Sequence, residues 1–260
     1  MVQMMGYVIT VIVGITLGLM GSGGSILTVP NLVYLFGINP MQATSYSLFI
    51  IGITSLIGSF SNIKDKKINF NLAIRFGLPS ILAMVITRSI ILPMIPQQIG
   101  DISKDVLLMT IFALVMIIAA YSMITNRQKD CIECGKKMEK NHLLLIIQGI
   151  IIGFVSGILG AGGGFLIIPG LVIFAKVPMK SAVATSLLIV AVNSMVGFAS
   201  DFTKLKKIDW TLLSTMTILS IVGIFIGNRL IKHINAEKLK PVFGYFIMVI
   251  ALIILIQEFL

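Results

Sequence analysis

Charged residues are scarce in this chain, and their scarcity excludes most soluble folds. Of the 260 residues, only 12% are Asp, Glu, Lys or Arg, whereas 57% are hydrophobic. A soluble domain of this length buries one core beneath charged faces, so apolar stretches of about 20 residues do not recur along it. They recur here throughout, and the sequence therefore predicts an all-α polytopic membrane protein.

Histidine and cysteine are also rare, with two residues of each. His142 and His233 lie at the edges of connections, so the predicted spans lack the nucleophile–base pair or metal cluster of an intramembrane enzyme. We predict neither enzymatic activity nor a cofactor. Cys131 and Cys134 form half of a zinc knuckle in the sequence CIECG. An idle reduced thiol pair, a zinc site shared within a homodimer and a thiol switch all remain open for this pair.

The predicted spans contain no Asp, Glu or His near their centres, which argues against a cation antiporter or proton pump. Basic residues outnumber acidic ones, and the net charge is +10. The basic residues occupy short connections and do not form one basic face. This pattern is typical of residues that orient a protein in a membrane, and we predict no nucleic-acid partner.

A decapeptide repeats at a fixed displacement. GSGGSILTVP at 21–30 returns as GAGGGFLIIP at 160–169, which is 139 positions later. This self-similarity predicts a duplication, with one transmembrane module at 1–125, a second at 143–260 and a polar linker at 126–142.

Each module is predicted to hold about four spans, the first of them broken at the glycine motif. The first apolar stretch lacks a small-residue cleavage site, so it is predicted to be a span and not a leader. The predicted spans are Met5–Phe36, Met41–Phe60, Phe70–Leu92, Asp105–Thr125, Leu143–Ala175, Lys180–Ser200, Trp210–Leu230 and Pro241–Phe259.

Four crossings per module predict parallel repeats in the inner membrane, with both termini and the linker in the cytoplasm. The basic connections after Phe60 and Ser200 favour this arrangement, because both would then be cytoplasmic. The connection with Lys232, Lys238 and Lys240 does not fit, since it would be outside. If each glycine break were a re-entrant turn, three net crossings would remain and the modules would be inverted.

The glycine motifs are the candidate site. Gly14, Gly18, Gly153 and Gly157 keep the spacing of helix-packing grooves, whereas consecutive glycines break a helix and expose backbone amides. In hydrocarbon such a break persists where it lines a cavity or binds a ligand, and the N-terminal end of the following helix favours an anion. The candidate substrate-binding residues in the motifs are Gly21, Ser22, Gly23, Gly24, Ser25, Gly160, Ala161, Gly162, Gly163 and Gly164.

Polar residues after the motifs extend the candidate site. Ser47 and Ser186 repeat at the common displacement, and Asn193 needs a partner in its apolar helix, so we expect all three to line the same cavity. Bonding of the serines to their own helices is the alternative. Arg88 and Arg229 occupy similar places near the ends of spans, where they either snorkel to the interface or form an anion-attracting outer vestibule.

The duplicated motifs resemble the TauE/SafE family of sulfite exporters and permeases. GLMGSGGSILTVP is followed by ATSYSLF in the first module, and GILGAGGGFLIIPGL by AVATSLL in the second. The first copy departs with Ser25 where the second has a third glycine. The resemblance implies transport of sulfite, sulfonates or related anions across the inner membrane.

These patterns together predict a secondary transporter of small sulfur-containing oxyanions, with the two glycine breaks at a central site near the membrane midplane. An anion channel is one alternative. The other is a membrane sensor or assembly protein that acts through Cys131 and Cys134.

Overall fold

The computed structural model describes residues 2–64, 68–96, 98–99, 102–125, 142–160, 162–173, 177, 179–202, 208–230 and 236–259. Nearly all of these residues are helical, and the predicted spans other than Met5–Phe36 and Leu143–Ala175 agree with the helices to within five residues. The longer helices are α1 (Val2–Met20), α3 (Pro40–Lys64), α4 (Phe70–Ile86), α6 (Lys104–Thr125), α7 (His142–Leu159), α8 (Gly164–Ile173), α9 (Met179–Phe202), α10 (Trp210–Leu230) and α11 (Ala236–Phe259).

Shorter elements join them. After α1 come a 3-10 helix (Gly21–Leu27), the single turn α2 (Thr28–Pro30) and a π-helical turn (Asn31–Leu35), which we call together the first return segment. A π-helical turn (Thr87–Ile91) continues α4 into α5 (Leu92–Met94). The strand β1 (Gln98–Ile99) pairs with β2 (Ile102–Ser103) before α6.

Six helices of the described chain are long and apolar enough to cross a bilayer, and α11 adds an apolar stretch over Gly244–Glu258. Large apolar side chains on the outside of the bundle are exposed, as expected of a surface that faces lipid. Representative examples are Leu82, Ile118, Ile151, Phe225 and Val249. The all-α polytopic membrane fold is therefore confirmed.

The chain reverses direction at each glycine motif. Asn31 in the first return segment donates hydrogen bonds to the Gly6 carbonyl (3.0 Å) and to Thr10 Oγ1 (2.9 Å), so this segment runs back along α1. In the second module, α8 runs back along α7, since a Cβ at Gly170 would lie 3.1 Å from Ile152 Cδ1. Each motif therefore forms a hairpin, and the interrupted single span that we predicted is wrong.

The remaining helices cross in directions fixed by their contacts. α3 and α9 are antiparallel, because Ser45 meets Asp201 at one end and the Asn69 N–H donates to Thr185 Oγ1 (3.1 Å) at the other. α1 runs parallel to α10, and α7 runs parallel to α4. We call the end of the bundle that holds the start of α1 the N-terminal face, and the opposite end, where α6 ends and α7 begins, the linker face.

The two modules are therefore inverted relative to each other. In the first module the hairpin returns to the N-terminal face, and α3, α4 and α6 then make three crossings that end at the linker face. In the second module the hairpin returns to the linker face, and α9, α10 and α11 make three crossings back. This corrects the predicted parallel arrangement and the prediction that both termini share a face with the linker. The inverted arrangement places the start of α11, with Lys238 and Lys240, at the linker face, and the end of α9 at the N-terminal face.

The small residues of α1 and α7 form packing grooves, as one of the two sequence interpretations held. A Cβ at Gly14 would lie 2.9 Å from Gly223 Cα of α10, and a Cβ at Gly153 would lie 2.7 Å from Ser80 Cα of α4. Backbones approach this closely only where side chains are absent. The two hairpins are held against the bundle by equivalent contacts in the two modules.

Candidate functional site

The second glycine motif forms a tight turn ahead of a regular helix. Gly160, Gly162 and Gly163 have φ of +66°, +64° and +68°, a left-handed conformation that glycine adopts without strain. The Leu166 and Ile167 N–H groups both donate to the Gly163 carbonyl, at 3.0 and 3.1 Å, and so begin α8. The first turn of α8 therefore directs backbone N–H groups toward the N-terminal face.

Gly162 lies at the middle of the bundle. A Cβ placed on it would lie 3.1 Å from Val190 Cγ1 and 3.5 Å from Ile51 Cγ2, and it would contact Ser194 Oγ. Ile51 and Val190 stand near the middle of α3 and α9. The positive end of the α8 dipole is consequently buried inside the protein, near the middle of α3 and α9.

The tips of the two hairpins lie toward opposite faces. Gly160 packs on Thr44 near the start of α3, and a Cβ at Gly21 would lie 2.8 Å from Val183 Cγ1 near the start of α9. Because α3 and α9 are antiparallel, Gly21 lies toward the linker face and Gly160 toward the N-terminal face. Gly162 therefore lies nearer the middle of α3 and α9 than Gly160 does, and the midplane position of the two motifs stays a prediction.

The other residues of the first motif fall in its 3-10 helix. Gly21 has φ of +68°, and a Cβ at Gly24 would lie 2.8 Å from the Leu17 nitrogen, so this turn packs directly on α1. Ser25 is fully buried. Ser22 and Gly23 belong to the same 3-10 helix, but their side-chain environment lies outside the described part of the structure, as does Ala161 of the second motif.

Buried polar atoms surround the second turn. Ser194 Oγ and Ser156 Oγ are fully buried beside Gly162 and Gly163, and neither has a hydrogen-bond partner among the described residues. Asn193 donates from Nδ2 to Ser80 Oγ at 2.8 Å, while its Oδ1 accepts no bond there. Such groups cost free energy in a dry interior, so water or a polar ligand beside Ser156 and Ser194 would be stabilised by them.

The first module carries the matching hydroxyl group on α3. Ser55 lies 139 positions before Ser194, and its Oγ is also buried without a partner among the described residues. The two inverted modules thus carry related buried hydroxyl groups. Ser55, Ser156 and Ser194 were absent from the candidate set, although the displacement of 139 relates Ser55 to Ser194 in the sequence.

Ser47 and Ser186 bond to backbone groups. Ser47 donates to the Thr44 carbonyl (2.8 Å) and contacts the Gly160 carbonyl, and Ser186 donates to the Val183 carbonyl (2.9 Å). Ser47 therefore ties the tip of the second hairpin to α3. Val183 packs on Gly21, so Ser186 stands at the corresponding place beside the first hairpin.

The two arginines have different environments. Arg229 is exposed near the linker face, whereas Arg88 is 1% exposed and forms an ion pair with Asp201 of α9. Arg88 consequently neither snorkels to an interface nor lines an open vestibule. Ser45 Oγ donates to Asp201 Oδ2 at 2.6 Å, and Arg88 Nη1 donates to Ser45 Oγ at 3.3 Å.

Asp201 is a buried acidic residue at the end of a span, away from the span centres that we predicted to contain no Asp, Glu or His. It is 5% exposed and lies in the last turn of α9, inside an apolar span that reaches Phe202. The sequence placed it just beyond a span that ended at Ser200. A single aspartate at a helix end gives no sequence signal of burial, because its partners come from distant helices.

The linker thiols cannot be compared with the structure, since Cys131 and Cys134 lie outside the described residues. Within the described residues, no group of three or more His, Cys, Asp or Glu side chains could hold a metal ion.

Inverted modules, each with a broken helix, are an architecture of many membrane transporters. The chain belongs to the TauE/SafE family, whose model, described as "Sulfite exporter TauE/SafE", matches residues 7–254. It is similar to a "Probable membrane transporter protein" of Xylella fastidiosa strain 9a5c, with 27% identity over 94% of this chain and 91% of that protein. No solved structure matches the chain significantly.

Two further relatives have similar descriptions. The "Probable membrane transporter protein MJ0441" of Methanocaldococcus jannaschii is 30% identical over 89% of this chain and 86% of its own length. The "Probable membrane transporter protein YunE" of Bacillus subtilis is 26% identical over 90% of both chains. These matches extend across both modules of this chain.

Proposed function

We propose that the protein is a secondary transporter of small oxyanions, with sulfite or an organic sulfonate as the substrate. The observation that carries this proposal is the buried start of α8 beside Gly162, with Ser194 and Ser156 around it. Backbone N–H groups and serine hydroxyls all donate hydrogen bonds, and an anion with several oxygens accepts them.

The choice of a sulfur oxyanion rests on the family and on this donor set. The family's description names sulfite, whereas the descriptions of the similar proteins name no substrate. Sulfite and sulfonates each present three oxygens around one sulfur atom, which suits donors that converge from a helix end and two neighbouring helices.

The inverted modules supply the transport cycle. Structural repeats of opposite orientation have two equivalent arrangements, one open to each side, and exchange between them moves a central site from one side to the other. The glycine hairpins lean toward opposite faces and are therefore suited to act in turn. Rocking of one module against the other gives alternating access without a change in secondary structure.

The charge distribution supports an orientation with the linker face in the cytoplasm. Basic residues in or beside the connections on this face are Lys64, Lys66, Lys67, Arg127, Lys129, Lys136, Lys137, Lys140, Lys176, Lys180, Lys232, Lys238 and Lys240. The corresponding residues of the N-terminal face are Lys104, Lys204, Lys206 and Lys207. Both ends of the described chain would then lie on the outer side of an inner membrane, and the linker would lie on the cytoplasmic side.

The proposal predicts saturable anion uptake. Purified protein in liposomes should accumulate radiolabelled sulfite or a labelled two-carbon sulfonate, and an excess of the unlabelled anion should compete. Liposomes without protein, and liposomes with heat-denatured protein, provide the controls. Uptake that rises linearly with concentration would indicate a channel instead, and no flux of either anion through folded protein would contradict the proposed substrate class.

A further inference from the structure

The buried trio of Arg88, Asp201 and Ser45 lies beside the proposed site. Ser45 follows Thr44, which packs on Gly160, and a Cβ at Gly157 would lie 2.8 Å from Thr87 Cβ, next to Arg88. The trio therefore joins α3, α9 and the π-helical turn after α4 at the tip of the second glycine hairpin. It stands between the N-terminal face and the buried start of α8.

The second module has no equivalent of this trio. The displacement of 139 relates Ser45 to Ala184 and Asp201 to Asn62. Gly18 packs on Gly227 as Gly157 packs on Thr87, so the counterpart of Arg88 is Asn228. The residues at the equivalent positions are therefore uncharged. A buried ion pair contributes little net stability, so packing gives no reason for the charges on one side only.

Ionisable residues within a membrane span are costly and mark functional positions. The π-helical turn that carries Arg88 is a further sign, because such turns concentrate at functional sites. We propose that Arg88 and Asp201 form a proton-coupled anion gate, in which a substrate anion replaces the Asp201 carboxylate on Arg88 while Asp201 takes up a proton. This inference rests on the proposed transport of oxyanions.

The exchange keeps the charge of the buried site constant. Before binding, the positive charge of Arg88 is balanced by the Asp201 carboxylate. One proton, taken from the solution at the N-terminal face, neutralises that carboxylate, and one monovalent anion then balances Arg88. The proton and the anion enter together and cross in the same direction.

Lys104 is a further buried charged residue at this end of the bundle, where its Nζ donates to the Leu92 carbonyl (2.5 Å) and to the Ile95 carbonyl (3.2 Å) after the π-helical turn. Among the described residues of the elements packed on α9, Arg88 is the charged side chain that faces Asp201. Arg75 lies at the start of α4 near the linker face, and the hydroxyl of Tyr46 instead accepts the Asp209 N–H at 2.8 Å. Lys204, Lys206 and Lys207, which follow α9, lie outside the described residues.

The test uses the full-length protein in liposomes with a pH-sensitive dye inside and a labelled two-carbon sulfonate outside. A sulfonate keeps one negative charge across the working pH range, so the anion itself does not titrate. We expect sulfonate uptake to acidify the lumen, and an imposed proton gradient in the same direction to raise uptake severalfold. Sulfonate affinity should fall as pH rises, by at most tenfold per unit for one coupled proton.

The variants separate the two roles. Asp201→Asn should remove the gradient response, measured as the ratio of its own uptake with and without the gradient, and should make sulfonate binding independent of pH. Arg88→Gln should lose the sulfonate-induced rise in melting temperature. Arg229→Gln, which alters an exposed arginine outside the gate, is the matched control and should retain the wild-type ratio.

Each failure has a distinct meaning. An Asp201→Asn variant with the wild-type ratio, or wild-type sulfonate uptake without lumenal acidification, would overturn the gate and leave anion transport standing. The dye measurement needs no variant, so it decides the question even if Asp201→Asn does not fold. Absence of any anion flux in folded wild-type protein would overturn the proposed function, and the gate with it.

Discussion

Replacement of Gly162 by alanine is expected to reduce sulfite or sulfonate uptake by about a hundredfold, which is the scale of loss when binding groups move by about 1 Å. Gly162 has φ of +64°, and a Cβ there would contact Ser194 Oγ and lie 3.1 Å from Val190 Cγ1. The turn would have to shift away from both groups. The start of α8 would then no longer meet the buried hydroxyls.

Gly37→Ala is the matched control for this prediction. Gly37 has φ of +66°, so alanine pays a similar left-handed strain of roughly 1–2 kcal/mol, but a Cβ there would have nothing within 4 Å. The measurement is initial uptake per folded protein, with folding checked by gel filtration. Equal uptake by the two variants would show that the space beside Ser194 is not the site.

Cys131→Ser/Cys134→Ser, in the same assay, separates the transporter from the alternative that acts through the linker thiols. Full uptake by this double variant agrees with a central site. Loss of uptake in it, together with retained uptake in Gly162→Ala, would favour the sensor or assembly role.

Replacement of Gly153 by alanine is expected to destabilise the fold. The new Cβ would lie 2.7 Å from Ser80 Cα, which is backbone, so α7 and α4 must separate along their contact. Overpacking of this kind costs about 1–3 kcal/mol, which corresponds to a fall in melting temperature of roughly 2–10 °C for a chain of this size. The fall is measured by thermal unfolding in detergent.

Gly77→Ala is the comparison variant, and it alters a glycine of α4, the helix that Gly153 contacts. Gly77 is also helical, but its Cβ would meet Ile189 at 3.8 Å, an ordinary contact distance. We expect this variant to match or slightly exceed the wild-type melting temperature, since alanine is the better helix former. If Gly153→Ala melted no earlier than Gly77→Ala, the close approach of α7 to α4 would be wrong.

The sequence predicts the helices of this protein well because apolar length and glycine spacing are local properties. The direction of the chain after each break is not local. A glycine break within an apolar stretch looks the same whether the chain continues or turns back. Here the left-handed conformations of Gly21 and Gly160, and the bond from Asn31 to Thr10, decide for the hairpin.

The candidate site shows the same division. Gly162 and Asn193 could be chosen from their motifs, since consecutive glycines and an asparagine in an apolar helix are each unusual within a span. The pairing of Arg88 with Asp201 could not be chosen, because these residues are distant in the sequence and meet only where α9 packs against α3 and α4. The positive-inside rule favoured the parallel arrangement because we applied it to four crossings per module, whereas each module makes three after its hairpin.

The central claim is that the two modules are inverted around a transport site, and cysteine labelling in intact cells tests it most directly. Cys131 and Cys134 are the two cysteines of the sequence and lie in the linker. One protein keeps them, and a second carries Cys131→Ser/Cys134→Ser with a single cysteine appended after Leu260. Both are treated with a membrane-impermeant maleimide before and after permeabilisation. The account predicts labelling of the appended cysteine in intact cells and of the linker cysteines only after permeabilisation, whereas equal protection of both in intact cells would contradict the inverted arrangement.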